Sequence, residues 1–186
     1  MRRARWLLIA SAFAVVGGAG AVFLVVHNDR PAFVMDHTHP FWLEFGRGSG
    51  WHGLNTVKID QTGRVVLHRM KSMHQNDVTV QSWEVGTLQL PPEAITELLK
   101  AVESNNLLGL QKAYHANVHD GTQWVLWIMQ GEQEKSVYFD NHFPRSITAF
   151  AQQLDAILAQ AGLDKVAWQP VDDRQHEKEL WASIRR

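Results

Sequence analysis

Thr122 to Gln130 reads TQWVLWIMQ, and it narrows the folds open to this chain more than any other stretch. Side chains alternate between the faces of an extended strand. Trp124, Leu126 and Ile128 therefore share one side, and Val125, Trp127 and Met129 the other. Both sets are large and apolar. Such a strand is buried on both sides, so it belongs inside a sheet that carries a layer on each face. Helices cover one face in this reading, and the other is left to a partner, the membrane or the chain's own tail. Val137 and Phe139 continue on a return strand. The loops at the open end of this hairpin hold His115, His119, Asp120, Asn141 and His142.

The flanking sequence supplies the other elements. Phe41, Leu43 and Phe45 alternate with Trp42 and Glu44, the period of a half-buried strand. Gly46 to Gly53 is a glycine-rich loop, but no Gly-Lys-Ser/Thr follows and no helix opens from it, which excludes a phosphate loop. Val57 and Ile59 mark a second strand, Gln61-Thr62-Gly63 a tight turn, and Arg64 to Met70 a third strand. From Val78 to Leu90 the apolar phase slips twice, which predicts bulges near Ser82 and Gly86. The charges of Glu44 and Glu84 are expected to face solvent.

Pro91-Pro92-Glu93 opens a helix whose stripe is Ile95, Leu98, Leu99 and Val102. A second helix starts near Pro144 with Ile147, Phe150, Ala151, Leu154, Ile157, Leu158 and Ala161 on one side, and Gly162 stops it. The tail ends in a short helical stretch with Leu180, Trp181 and Ile184 as its apolar residues. The expected fold class is α+β: a two-layer domain with an antiparallel sheet of about six strands and two helices on one face.

The N-terminus constrains location. Arg2, Arg3 and Arg5 precede an uncharged run from Trp6 to Val26. As a helix that run is about 31 Å long, close to the hydrocarbon thickness of a bilayer. A cleavable signal would have a shorter apolar core ending in small residues. Here Val22 to Val26 carries the run past the small residues Ala19-Gly20-Ala21, so an uncleaved anchor is the reading. The arginines place the N-terminus in the cytoplasm. The expected division is a cytoplasmic tail at 1–5, an inner-membrane span at 6–26, a linker at 27–40, a periplasmic or extracellular domain at 41–162, and a tail at 163–186.

Composition excludes several classes. The chain has no cysteine and a formal net charge of −1, with no basic stripe among its aromatics. Disulfides, thiolate metal sites and cysteine nucleophiles are out, and nucleic-acid binding has no footprint. Ten histidines and eight tryptophans pose the two site hypotheses. His115, His119, Asp120 and His142 form the candidate divalent-metal set. His115 and His119 have zincin spacing, but HANVH has Ala116 where the general base belongs, so no catalytic residue is assigned. His37 and His39 lie in the linker.

The pattern from Phe41 to Trp168 resembles a loose group of exported bacterial domains of unknown function. It consists of a strand pair with the Gln61-Thr62-Gly63 turn, a helix entered through Pro-Pro-Glu, Tyr114, Asp120-Gly121, a strand pair, Asn141 with Pro144, and a last helix. The resemblance implies a module attached by a lipobox or one membrane span. With no cysteine, the span is the attachment available here. It implies no activity.

The expectation is a non-enzymatic binding or accessory-subunit domain with protein contact through Trp51, Trp42 and Trp127, since tryptophan joins large apolar area to a polar N–H. The alternative is a histidine-ligated metal-binding protein. No cofactor other than that metal is expected.

Overall fold

The computed structural model describes residues 33, 35–36, 38–49, 53–75, 78–118, 121–171 and 175–184. The expected anchor, and with it His37, Trp51, His119 and Asp120, lies outside them. Among the described residues no helix is long and apolar enough to cross a membrane.

Among the described residues the chain builds a mixed α+β fold with one sheet of eight strands and three α-helices. Trp42–Ser49 (β1), Gly53–Asp60 (β2), Arg64–Gln75 (β3) and Val78–Gln89 (β4) come first, followed by the helix Pro92–Ser104 (α1). Ala113–His115 (β5), Thr122–Gln130 (β6) and Gln133–Asp140 (β7) lead to Arg145–Gln160 (α2), and Gln169–Val171 (β8) and Gln175–Ile184 (α3) close the chain. The sheet order is β5-β7-β6-β1-β2-β3-β4-β8. Every neighbouring pair is antiparallel except β5 and β7, which run parallel. The expected six strands become eight because β5 and β8 are three-residue edge strands. Segments that short show no period. Pro170 in β8 suits an edge, where a missing N–H costs no ladder bond.

The core fills one face of the sheet. Leu43 and Phe45 of β1, Ile59 of β2, Val65 of β3, Leu126 and Ile128 of β6, and Val137 and Phe139 of β7 are buried there. Leu98, Leu99 and Val102 of α1 and the stripe of α2 from Ile147 to Leu158 pack into the same cluster. Phe45 sits at its centre, edge-on to Trp124 at 5.6 Å and to Phe150 at 5.7 Å.

The turns are built locally. Gly63 has φ +78°, and Asp60 Oδ1 accepts from the Thr62 backbone N–H at 2.8 Å and its hydroxyl at 2.5 Å. Asn141, at φ +53°, accepts the Thr122 N–H through Oδ1 at 2.9 Å. A Cβ on Gly121 would lie 1.7 Å from that oxygen. Asn141 thus braces the mouth of the β6–β7 hairpin and needs glycine at 121.

The predicted bulges in β4 are absent. Its register with β3 runs unbroken from Arg64↔Gln89 to Gln75↔Val78. The apolar phase shifts because different parts of β4 are covered on different faces. Leu88 packs on the helix-side core, while Trp83 lies against His176 of α3 on the other side.

Met35 is buried, and the Gln130 side chain clamps the segment before β1 by accepting from Asp36 N at 2.7 Å and donating to Asp36 O at 2.7 Å. One further expectation is corrected by packing, that for Glu44 and Glu84. Glu44 and Glu84 do not face solvent; both are buried beside cations. Glu84 lies 2.7 Å from Arg69 and 3.3 Å from Lys71.

Candidate functional site

Of the proposed metal set, His115 and His142 lie among the described residues. His115 ends β5, with its ring 5.5 Å from Tyr138 and Nδ1 3.7 Å from Asp140 Oδ2. His142 lies against Tyr114 at 5.7 Å, and Tyr114 in turn stacks on Phe139 in the helix-side core at 5.4 Å. Tyr138 and Phe139 are successive strand residues and face opposite ways. Among the described residues no group of three or more histidines and carboxylates is placed to hold a metal.

The second face is where the chemistry gathers. Leu54, Val125 and Leu180 form a separate buried cluster, with Trp127, Tyr138, Trp181 and Ile184 around it. Leu180 and Ile184 belong to α3, so the chain's tail lies over the part of the second face that Val125 occupies. Gly46 lets the helix come close, since a Cβ there would stand 2.7 Å from Val125 and 3.3 Å from Leu180.

A polar and aromatic strip lies beside this helix. Trp42 is 37% exposed, and the Lys58 ammonium sits 4.9 Å from its ring centre. Lys58 also pairs with Glu44 at 3.0 Å. Burial pushes the Glu44 carboxyl above its usual range, with Lys58 acting against that shift. Trp127 lies opposite Glu44 in the β1–β6 register and donates its indole N–H to Glu134 at 2.9 Å. Trp42 and Trp127, two of the three tryptophans expected to make contacts, thus lie on one face of the sheet.

Under the start of α3, His176 stacks flat on His68 with centroids 3.4 Å apart and planes 10° apart. Thr56 Oγ1 from β2 is 3.5 Å from His68 Nδ1, and Val85 of β4 is its cross-strand neighbour. Burial, helped by the charge of Lys58, pulls the His68 pKa below its ordinary 6.5. The folded state therefore holds this imidazole neutral, while the unfolded chain takes a proton as pH falls below 6.5. The contribution is fully present above that value and is lost on acidification toward the lower folded pKa. Glu44, raised in the fold, works in the opposite sense at lower pH. Denaturant titrations at pH 7.5 and pH 5.5 are expected to show a drop in midpoint that is smaller in His68→Gln. An identical drop in both proteins would rule His68 out as its source.

The residues missed by sequence reasoning are Glu177, Tyr138 and the His68–His176 pair. Leu180, Trp181 and Ile184 were visible as a short apolar pattern, but nothing local says which surface they meet. Together these features define a mixed α+β domain whose second sheet face is half covered by its own C-terminal helix. No protein-family model matches the chain, and no curated protein matches it in sequence.

Proposed function

We propose that this chain is a membrane-anchored extracytoplasmic binding domain, an accessory subunit rather than an enzyme. Trp6–Val26 holds it in the membrane, and a protein partner docks on the open strip of the second face. The exposure of Trp42 carries the reading: it is 37% exposed on a sheet face whose neighbouring part is packed under α3. An exposed tryptophan beside a half-buried one supplies the residue type enriched at interface centres. The pattern shared with exported domains supports the same location, as does the length of the uncharged N-terminal run.

Crosslinking and pull-down of the full-length chain from native membranes tests this. A defined partner is expected to be recovered, and recovery is expected to fall several-fold with Trp42→Ala. A monodisperse, uncrosslinked monomer overturns the reading, as does a partner retained equally by the variant. Metal analysis of the same sample addresses the alternative, a divalent ion held by His115, His119, Asp120 and His142. The approach of His115 to Asp140 favours that reading. Stoichiometric metal lost on His142→Ala would establish it, and metal-free protein would remove it.

A further inference from the structure

We propose that the cleft between α3 and the β5–β7–β6 edge binds a small zwitterion of the amino-acid class, with its ammonium on Glu177 and its carboxylate toward Lys112. The cleft holds about 590 Å³, within the range of about 300–1,000 Å³ usual for small-molecule sites. Glu177, Trp181 and Ile184 of α3 line one side, and Lys112, Gln123 and Tyr138 the other.

Glu177 distinguishes this cleft from a packing gap. Its side chain belongs to a residue only 7% exposed. Oε1 accepts from the Leu54 backbone N–H at 3.3 Å and from the Trp181 indole N–H at 3.4 Å. Oε2 accepts no hydrogen bond among the described residues. A carboxylate offers about four acceptor sites, and N–H bonds from a charged donor run at about 2.7–2.9 Å. Among the described residues Glu177 has two long bonds and an idle oxygen, so a buried acceptor is left incompletely satisfied there. An ammonium group, which brings only donors, completes it. The terminal torsion of glutamate is broad, so a small turn brings Oε2 to the cleft at the expense of the two long bonds that Oε1 accepts.

The walls fit the same ligand. The rings of Tyr138 and Trp181 meet edge-to-face at 5.7 Å, and aromatic faces attract organic cations. Ile184 offers apolar surface to a side chain. Lys112 is unfavourable to a bare amine and favourable to a ligand that carries its own carboxylate. None of these residues belongs to the strip around Trp42 and Lys58, so the two sites stand or fall separately.

Calorimetric titration of the full-length protein in phosphate buffer tests the proposal with L-leucine, N-acetyl-leucine, which lacks the ammonium, and leucinamide, which lacks the carboxylate. Leucine is expected to bind, and the other two to bind roughly tenfold or more weakly. Glu177→Gln is expected to lose leucine by a similar factor. Lys112→Ala, a change at an exposed residue, is expected to weaken leucine but not leucinamide. Equal binding of leucine and N-acetyl-leucine, or no binding of leucine at millimolar concentration, overturns the proposal. The three-ligand series uses the unaltered chain, so it decides the matter even if Glu177→Gln fails to fold.

Discussion

Phe45→Ala is expected to cost about 3–5 kcal/mol of folding stability, the range for emptying a buried aromatic site. Phe45 is 1% exposed and sits where the sheet meets α2. It packs edge-to-face on Trp124 and Phe150, and the Arg47 guanidinium stands 5.4 Å from its ring centre. The surroundings have little freedom to collapse into the space. β1 is paired along its whole length to β2 and β6, and Arg47 is held by a two-bond pairing with Asp155 of α2 at 2.8 and 2.5 Å. Domains have about 5–15 kcal/mol in total, so the variant is expected to be marginal. Urea unfolding of the full-length protein measures this. A loss below about 1 kcal/mol would mean that the site repacks and that Phe45 is not the centre of the core.

Leu180→Ala is expected to release α3 while the rest of the domain stays folded. Leu180 is 1% exposed and is the one apolar residue of α3 that is fully buried, wedged against Leu54 and Val125. Leucine-to-alanine changes at buried sites cost about 2–5 kcal/mol. A ten-residue helix has almost no stability in water without its tertiary contacts. The loss therefore falls on the docking of α3. The large helix-side core involves none of its residues. Limited trypsin digestion is expected to cut after Lys178 many times faster in the variant, with the segment from β1 to α2 still resistant. Unchanged protection at Lys178 would show that α3 is held by something other than Leu180. Loss of protection throughout would show that α3 and the main core unfold as one unit.

The elements that could be read from the chain are those whose physics is local. The stripes of α1 and α2, the Asp60–Gly63 turn and the stop at Gly162 all depend on residues a few positions apart, or on a backbone conformation that glycine adopts most easily. The two-faced character of β6 was equally visible, because period-two alternation is a property of the strand alone.

Nothing local revealed what those faces would meet. Glu44 and Glu84 looked solvent-facing until cations on neighbouring strands came within ion-pair distance. The slip in β4 looked like bulges because sequence periodicity cannot show that both faces of a strand are covered in different places. Of the candidate metal ligands, His115 rests against Tyr138 and His142 against Tyr114, contacts that no linear reading shows.

Local sequence therefore settled the helices and most of the longer strands, and that TQWVLWIMQ needs cover on two sides. Contacts between distant parts of the chain settled what provides it. Leu54 N meets Glu177 across 123 residues, and Asp36 N meets Gln130 across 94. Pairings of that kind depend on register and packing of the whole sheet, and no short-range periodicity encodes them.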